Sequence, residues 1–380
     1  MPQQTTDNTE QPPAQEAGGG NNTDHATDTL RFEKWLAELG ERKGTDLHLT
    51  VGNVPMIRLN GKIEPISNEQ VLTAEAMESI VSQLLTDDEA ARLTSARQIV
   101  LSRTLKRVMR FRVHVFYSRG FLAVSLRHLP SEGLPFDQLA LPQMVHEFVQ
   151  AEQGIYLVAG PFDSGRTTTV KGIVGEMNRT QERYIVMLEE PIEYIIPSDK
   201  SIVAQREVGK DVASFSEGLA ALHDEDVDVV VVSSFAGAEV VEQSLGLAAS
   251  GRLVIAITDG RHVVGVLEDI RDSVPAPDRP RILNVLADNL LGITTQLLLP
   301  RVGGGRVLVA EVMRATNPIK SLIRENKLTL IPNVMQTSRQ EGMITLDKSL
   351  VEAVKQGVVS LRDAKEHAVD NNQFNLLASH

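Results

Sequence analysis

The chain has 380 residues and no cysteine, with a formal charge of −12 and a hydrophobic content of 42%. This length is enough for two domains that each bury a core. The lack of cysteine excludes disulfides, thiolate catalysis and cysteine-based zinc sites. The acidic balance argues against nucleic-acid binding, which needs a basic surface. No apolar run approaches the roughly 18 residues of a membrane span, so we expect a cytoplasmic protein without direct membrane insertion.

The N-terminal third divides into a polar tail and a small domain. Residues 1–29 contain no lysine or arginine and are rich in Gln, Thr, Asn, Pro and Gly, so we expect a disordered acidic tail. Residues 30–128 predict a small α+β domain. Its first helix is indicated by apolar residues at helical spacing, namely Phe32, Trp35, Leu36 and Leu39.

The rest of the small domain reads as strands around a second helix. That helix spans 73–85, with Thr73 as its N-cap. Asn60-Gly61 is typical of a two-residue hairpin turn. The predicted strands are 46–51, 55–59, 62–66, 110–117 and 120–127.

From residue 129 onward the pattern changes. Residues 129–141 are punctuated by Pro and Gly and predict a linker. Residues 142–310 alternate strand and helix, which predicts an α/β core with a mainly parallel sheet. Residues 311–380 are predicted to be helical, and Ser360 with Asp363 is a capping pair expected to open the last helix. The predicted core strands are 155–159, 184–188, 227–232, 253–258 and 292–299.

A glycine-bounded loop follows the first core strand. It reads Gly160-Pro161-Phe162-Asp163-Ser164-Gly165-Arg166-Thr167 and precedes a helix, which is the context of a G-x-x-x-x-G-K-[ST] phosphate loop. Arginine replaces the lysine, and Asp163 places a carboxylate where amides should face phosphate oxygens. An ordinary strand–helix turn is the alternative. The candidate nucleotide-binding residues are Gly160, Pro161, Ser164, Gly165, Arg166, Thr167 and Thr168.

Several segments in order together resemble one family, the hexameric motor ATPases of type II secretion and type IV pili, most like its pilus retraction (twitching motility) branch. The resemblance runs from about Phe32 to Val369 and includes the phosphate loop. Its other segments are Asp46-Leu47-His48-Leu49, Pro55-Met56-Ile57-Arg58, Arg110-Phe111-Arg112-Val113, Leu188–Glu193, Gln205–Gly209, Pro318–Glu325 and Gly342–Asp347.

This resemblance implies a PAS-like N-terminal domain and a RecA-like P-loop ATPase domain with a helical C-terminal part. It also implies a ring, expected to be hexameric, made of this chain alone or mixed with an active paralogue. The ring would work with the inner-membrane platform proteins of a pilus or secretion machine. ATP with Mg²⁺ would lie between the two domains, near the candidate phosphate or interface arginines Arg110, Arg112 and Arg206. A solvated strand face is the alternative for Arg110 and Arg112.

The family's acidic box corresponds here to Glu189-Glu190-Pro191-Ile192-Glu193. Carboxylates at the end of a buried strand suit Mg²⁺ and its waters. Glu189, Glu190 and Glu193 are therefore the candidate catalytic residues for any remaining activity, and Thr167 and Glu190 are the candidate metal ligands. A surface charge cluster is the alternative.

Other family positions have changed. Ala220 and Asp224 stand where the family has arginines, Ser234 where it has the catalytic glutamate, and Asp259 where it has the histidine of Thr-Leu-His-Thr. Phosphoryl transfer depends on positioned cations and donors, and losing one typically costs about 10²–10³ in rate. We therefore expect weak or absent hydrolysis.

Three hypotheses remain open from the sequence. The first is a catalytically impaired accessory or regulatory subunit of a pilus or secretion machine. The second is a slow motor ATPase that uses Arg166 and either Glu189 or Glu190. The third is a scaffold that acts without nucleotide.

Overall fold

The computed structural model describes residues 21–59, 62–105, 109–129 and 135–378. The chain divides into two compact units, Met1–Leu129 and Pro130–His380. The fold is mixed α/β, as predicted. Among the described helices, none combines the length and the apolar composition needed to cross a bilayer.

The first unit is built on a six-stranded antiparallel sheet in the order β3-β2-β1-β6-β5-β4. Its strands are β1 (Asp46–Thr50), β2 (Met56–Leu59), β3 (Lys62–Pro65), β4 (Gln98–Leu105), β5 (Met109–Ser118) and β6 (Phe121–Leu129). Its helices are α1 (Asn21–Glu41), α2 (Ala74–Leu84) and α3 (Asp87–Ala96).

One face of this sheet is apolar because alternate side chains of a strand point to the same side. In β5, Phe111, Val113 and Val115 are buried, and they pack with Trp35 and Leu39 of α1 in one core. Helix α2 begins where its cap was predicted. Its N-cap hydroxyl, on Thr73, accepts a hydrogen bond from the Ala76 N–H at 3.2 Å.

The second unit contains a seven-stranded sheet in the order β13-β12-β7-β11-β10-β8-β9. All neighbouring strands are parallel except β12 and β13, which form an antiparallel hairpin. The strands are β7 (Gly154–Ala159), β8 (Tyr184–Glu189), β9 (Ile202–Glu207), β10 (Val229–Val232), β11 (Leu253–Thr258), β12 (Leu290–Pro300) and β13 (Arg306–Arg314).

Helices cover this sheet, and its central strands are apolar throughout. Every residue of β7 and of β10 is buried, as expected of parallel strands with both faces covered. The helices are α4 (Met144–Val149), α5 (Arg166–Thr180), α6 (Phe215–Ala221), α7 (Ala238–Ala249), α8 (Val263–Asp272), α9 (Arg279–Asn289), α10 (Asn317–Arg324), α11 (Ile331–Thr337), α12 (Leu346–Lys355), α13 (Leu361–His367) and α14 (Asn371–Ala378).

The last three helices form their own apolar cluster on the hairpin β12–β13. Leu350 of α12 and Phe374 of α14 are fully buried there, with Leu297, Leu299 and Val309 of the hairpin. Asp347, also buried, accepts hydrogen bonds from the backbone N–H groups of residues 369 and 370 at 2.7 and 3.0 Å. This carboxylate ties the segment between α13 and α14 to α12.

Three of the predicted features differ from the described elements. Helix α1 begins at Asn21, so residues 21–29 of the predicted tail are helical; they contain no Gly or Pro, unlike residues 1–20, which lie outside the described part. Strand β13 crosses the predicted boundary at 310/311, because its residues pair with β12 as far as Arg314. Ser360 does cap a helix, but α13 rather than the last one.

Two further predictions lie partly or wholly outside the described residues. The hairpin turn Asn60-Gly61 is one of these, although β2 and β3 pair on either side of it, with Leu59 opposite Lys62. Residues 130–134 of the predicted linker are another. Elements that the sequence reading missed are α3, β4, β9 and β13.

Candidate functional site

The phosphate-loop segment lies at the carboxyl end of β7 and leads directly into α5. Gly165 has a φ of 88°, the left-handed region that glycine adopts without strain, and it immediately precedes the first residue of α5. At Gly160 an added Cβ would lie 2.3 Å from the Ser164 hydroxyl and 2.6 Å from the carbonyl oxygen of Gln296. Both glycines are therefore required by the shape of the loop. The backbone N–H groups at the start of a helix such as α5 suit an anion.

Ser164 sits inside this loop. Its side-chain hydroxyl is buried and has no hydrogen-bond partner among the described residues. Its carbonyl oxygen accepts a hydrogen bond from the Gln296 side chain at 2.8 Å, which fixes the loop to β12.

Arg166, at the position of the family lysine, contacts groups at the carboxyl end of β11. Its guanidinium donates to the carbonyl oxygen of Thr258 at 2.6 Å and to the carboxylate of Asp259 at 2.5 Å. Its side chain is 17% exposed, whereas that of Asp259 is 87% exposed. Two positions that depart from the family pattern thus pair with each other across the ends of β7 and β11.

Asp163, the other acidic substitution in the loop, also has a partner in the chain. Its carboxylate lies 2.8 Å from the guanidinium of Arg306, at the start of β13. Asp163 adopts a φ of 63°. Both members are about half exposed, so the pair holds the loop only weakly.

A cleft of about 340 Å³ opens beside the loop, at the carboxyl ends of β10 and β11. Arg166, Ser234 and Asp259 all line it, so the structure brings together three substituted positions that the sequence had placed far apart. Residues 233–237 and Val241 of α7 form another wall. Ser234 is exposed, and a serine hydroxyl there has no acidity or basicity suited to activating water at neutral pH.

Glu189, the first residue of the acidic box, is buried at the end of β8 and is fully engaged. The ammonium of Lys171, from α5, donates to its Oε2 atom. The side chain of Gln205, from β9, donates to its Oε1 atom at 2.7 Å. The side chains of Lys171 and Glu189 are 5% and 3% exposed. Both carboxylate oxygens are therefore already paired with donors of this chain.

These contacts decide how well Mg²⁺ fits the acidic box. Both oxygens of Glu189 already accept from donors of this chain, and a divalent ion there would lie beside the buried Lys171 ammonium, which repels it. Glu190 is exposed, and Glu193 and Thr167 are half-buried. Across the described residues, no group of three or more His, Asp or Glu side chains is arranged to hold a metal ion. Mg²⁺ therefore does not fit at Glu189, and its placement at Thr167 and Glu190 stays a prediction.

The other candidate arginines have separate environments. Arg206 in β9 forms a two-pronged pair with Glu225, with N–O distances of 2.8 and 2.6 Å. This contact raises the pKa of Arg206 and lowers the pKa of the Glu225 carboxyl. Arg110 and Arg112 lie on β5 of the first unit, where Arg110 donates to the Thr104 hydroxyl at 3.2 Å. Their reach to phosphate stays a prediction.

The positions aligned with the family arginines lie on and after α6. Ala220, in α6, and Asp224, beyond its end, are both exposed. Neither can supply the lost cation. His262 does not supply one either, because its ring nitrogen caps α8 by accepting from the Gly265 N–H at 3.0 Å.

The sequence reading missed Lys171, Gln205 and Arg306. Lys171 had a detectable signal, because it interrupts the apolar face of α5 formed by Val170, Ile173 and Val174. A charged residue on a buried helix face requires a partner of opposite charge. The sequence pattern did not indicate which carboxylate would pair with Lys171.

Comparison with known proteins identifies the relatives of this chain. The family described as type II/IV secretion system protein matches residues 29–304. The type IV pilus retraction ATPase PilT of Pseudomonas aeruginosa is 30% identical over 333 residues, covering 88% of this chain and 96% of that protein. A twitching motility protein of Neisseria gonorrhoeae is 31% identical over 321 residues, covering 84% of this chain and 86% of that protein.

Solved structures agree with this relationship. The crystal structure of the pilus retraction motor PilT with bound ADP has a TM-score of 0.82 and 35% sequence identity, covering 90% of this chain and 97% of that one. The ATPase DotB of Legionella pneumophila shares the fold, with a TM-score of 0.77, 18% identity and coverage of 89% of this chain and 94% of that one.

Proposed function

The chain belongs to the type II/IV secretion system protein family, and from that premise we propose that it is a catalytically impaired accessory or regulatory subunit of a pilus or secretion machine. In this proposal it keeps the two-unit fold of its relatives and assembles into a ring, expected to be hexameric. The ring contains this chain alone or mixes it with an active paralogue, in the cytoplasm at the platform proteins of the inner membrane.

The observation that carries the proposal is the position of Arg166. Its guanidinium is occupied by Asp259 and by the Thr258 carbonyl oxygen. A phosphoryl-transfer site needs its cations directed at the phosphates, because positioning and charge supply almost all of the catalysis. The loop cation of this chain is instead directed at a carboxylate that stands in place of a hydrogen-bond donor.

Nucleotide binding is a separate matter from hydrolysis. The PilT structure to which this chain is similar contains ADP. Here the loop keeps both glycines and opens α5, so it retains the N–H groups that attract an anion. We therefore include weak ADP or ATP binding in the proposal and exclude rapid turnover.

The slow-motor hypothesis is less well supported. It assigns the base to Glu189 or Glu190, and Glu189 is buried against Lys171 and Gln205. Glu190 is exposed and leaves this hypothesis open to test. The scaffold hypothesis differs from our proposal in that the chain would act without binding any nucleotide.

Steady-state ATP hydrolysis by the purified chain tests the proposal. We expect the wild-type rate to equal that of the Arg166→Ala variant within error. Turnover should appear only when Asp163→Gly, Arg166→Lys, Ser234→Glu and Asp259→His are combined. Turnover by the wild type like that of its active relatives, abolished by Glu190→Gln, would replace the proposal with the slow motor.

The regulatory part is tested by mixing. Titration of this chain into an active retraction ATPase from the same cells should change the turnover of that ATPase and yield mixed rings in native mass spectrometry. Unchanged turnover and rings of one component only would leave no regulatory role through assembly.

A further inference from the structure

The acidic box of this chain contains a cation of its own. Lys171 is the second charged residue of α5, and its ammonium is almost fully buried against Glu189. Thr167, a candidate metal ligand, lies four residues earlier on the same helix. Residues four apart on a helix lie one above the other on the same face. Lys171 therefore stands on the helix face from which a metal would reach the acidic box.

The neighbours of Glu189 already neutralise its charge and donate a hydrogen bond to each of its oxygens. Gln205 donates to Glu189 and to the Tyr194 carbonyl oxygen, both at 2.7 Å, and its own side-chain oxygen accepts from the Ile196 N–H at 2.8 Å. Gln205 is thus held from three sides, in the orientation that presents an N–H to the carboxylate. A divalent ion at this carboxylate would lie beside a buried ammonium, and like charges repel strongly where water is excluded.

We propose that Lys171 is the resident cation of the acidic box and replaces the divalent metal there, so that this chain has no divalent-cation site at Glu189. The ammonium supplies the positive charge that the buried carboxylate requires. The inference does not depend on whether the chain hydrolyses ATP or joins a ring, because it concerns the protein without bound nucleotide.

Thermal unfolding of the full chain with millimolar MnCl₂ or with EDTA tests this proposal. The wild-type Tm should not respond to Mn²⁺. Lys171→Ala leaves the buried carboxylate without a neutralising cation and opens space beside it, so its Tm should fall by about 10 °C in EDTA. Mn²⁺ should raise that Tm by about 5 °C, because an ion that binds only the folded state stabilises it.

Two matched variants locate the effect. Lys171→Met fills the same space with an apolar side chain, and Lys171→Ala combined with Glu189→Gln removes the charge that attracts the ion. Neither Tm should respond to Mn²⁺. A Lys171→Ala variant that does not respond, or a wild type that responds as strongly as Lys171→Ala, would overturn the proposal.

A second measurement covers the case in which Lys171→Ala does not fold. Electron paramagnetic resonance counts free Mn²⁺ in the presence of the wild type and of Glu189→Gln. We expect the two proteins to leave the same amount of Mn²⁺ free. Saturable binding by the wild type that Glu189→Gln removes would show a metal at this carboxylate and would contradict the inference.

Discussion

At the scale of single residues, the substitutions around the phosphate loop are paired within the chain. Arg166 contacts Asp259, and Asp163 contacts Arg306. Each unusual charge therefore has a nearby opposite charge, which limits the repulsion or attraction that it exerts on a phosphate. Because Asp259 is largely exposed, its pair with Arg166 contributes only about 0–1 kcal/mol. A bound polyphosphate is able to compete for the same guanidinium.

Replacing Asp259 with asparagine should strengthen nucleotide binding. The change removes a carboxylate from the cleft and releases Arg166, so we expect the affinity for ADP to rise by about three- to tenfold, roughly 1 kcal/mol. Calorimetric titration of ADP measures it.

The Arg166→Ala background is the control for this effect. There the release of Arg166 no longer contributes, so Asp259→Asn should have a smaller effect than in the wild type. Equal gains in both backgrounds would mean that Asp259 acts by repulsion alone and that its pair with Arg166 is irrelevant to binding.

Two glycines close in sequence should respond oppositely to alanine. At Gly160 the new Cβ meets a backbone carbonyl at 2.6 Å, so Gly160→Ala should destabilise the fold by about 1–3 kcal/mol. At Gly175, inside α5, nothing lies within 4 Å of the new Cβ, and alanine should stabilise the helix by up to about 1 kcal/mol. Urea unfolding midpoints compare the two. An unchanged urea midpoint for Gly160→Ala would show that the loop accommodates the new Cβ without loss of stability.

At the scale of elements, the sequence predicted the strands best where a single feature, a short apolar run, indicates a buried strand. The short apolar runs of β7 and β10, rich in β-branched residues, favoured buried strands, and both strands are buried. Strand β9 was missed because it is a sheet edge of mixed polarity, with no alternation to reveal it. Strand β13 was divided by the predicted boundary at 310/311, although its residues pair with β12 from Arg306 to Arg314.

The contacts between side chains at the candidate site could not be predicted from the sequence, because they depend on which strands are neighbours in the sheet. Arg166 and Asp259 are 93 residues apart and meet because β7 and β11 are neighbours in register, with Ala159 opposite Thr258. The residue pattern predicted the location of the loop, and the resemblance to the motor ATPase family predicted the substituted positions. Only strand order determines which substituted positions face each other.

Glu311 joins several elements of the second unit and should make its stability depend on pH. This buried carboxyl in β13 accepts from the Val263 N–H at 2.7 Å and from the Leu346 N–H, at the starts of α8 and α12. Burial raises its pKa to about 7 despite these bonds, and Asp347 adds to the increase.

The sign of the effect follows from this raised pKa. The folded state holds the proton more tightly than the unfolded state, whose carboxyl has the ordinary pKa of 4.5. The stabilisation is therefore complete below about pH 4.5 and is lost as pH rises to about 7, by about 3 kcal/mol in the free energy of unfolding. Glu311→Gln, which does not titrate, should remove this decline.

Urea unfolding at about pH 5 and about pH 8 measures this prediction. Glu325→Gln is the control, since Glu325 is exposed and pairs with Lys327 at the surface. It should keep the wild-type dependence on pH. A Glu311→Gln variant that declines as steeply as the wild type would assign the effect to other groups.

At the scale of the whole molecule, each unit has its own core. The cluster around Trp35 and Phe111 lies within the first unit, and the large cluster on the parallel sheet lies within the second. A third cluster joins α12 and α14 to the hairpin β12–β13, which makes these C-terminal helices part of the second unit rather than an appendage.

This organisation predicts which fragments fold. Residues 1–129 and 130–380 should each unfold cooperatively when produced alone, because each retains a complete core. Residues 130–344 keep the large core but should unfold at a lower urea midpoint than 130–380, because removal of α12 and α14 deletes Leu350 and Phe374 and exposes Leu297, Leu299 and Val309 of the hairpin. Circular dichroism during urea titration compares the three fragments. A cooperative transition in 130–344 at the same urea midpoint as in 130–380 would mean that the C-terminal helices contribute no stability to the sheet, contrary to the burial of Leu350 and Phe374.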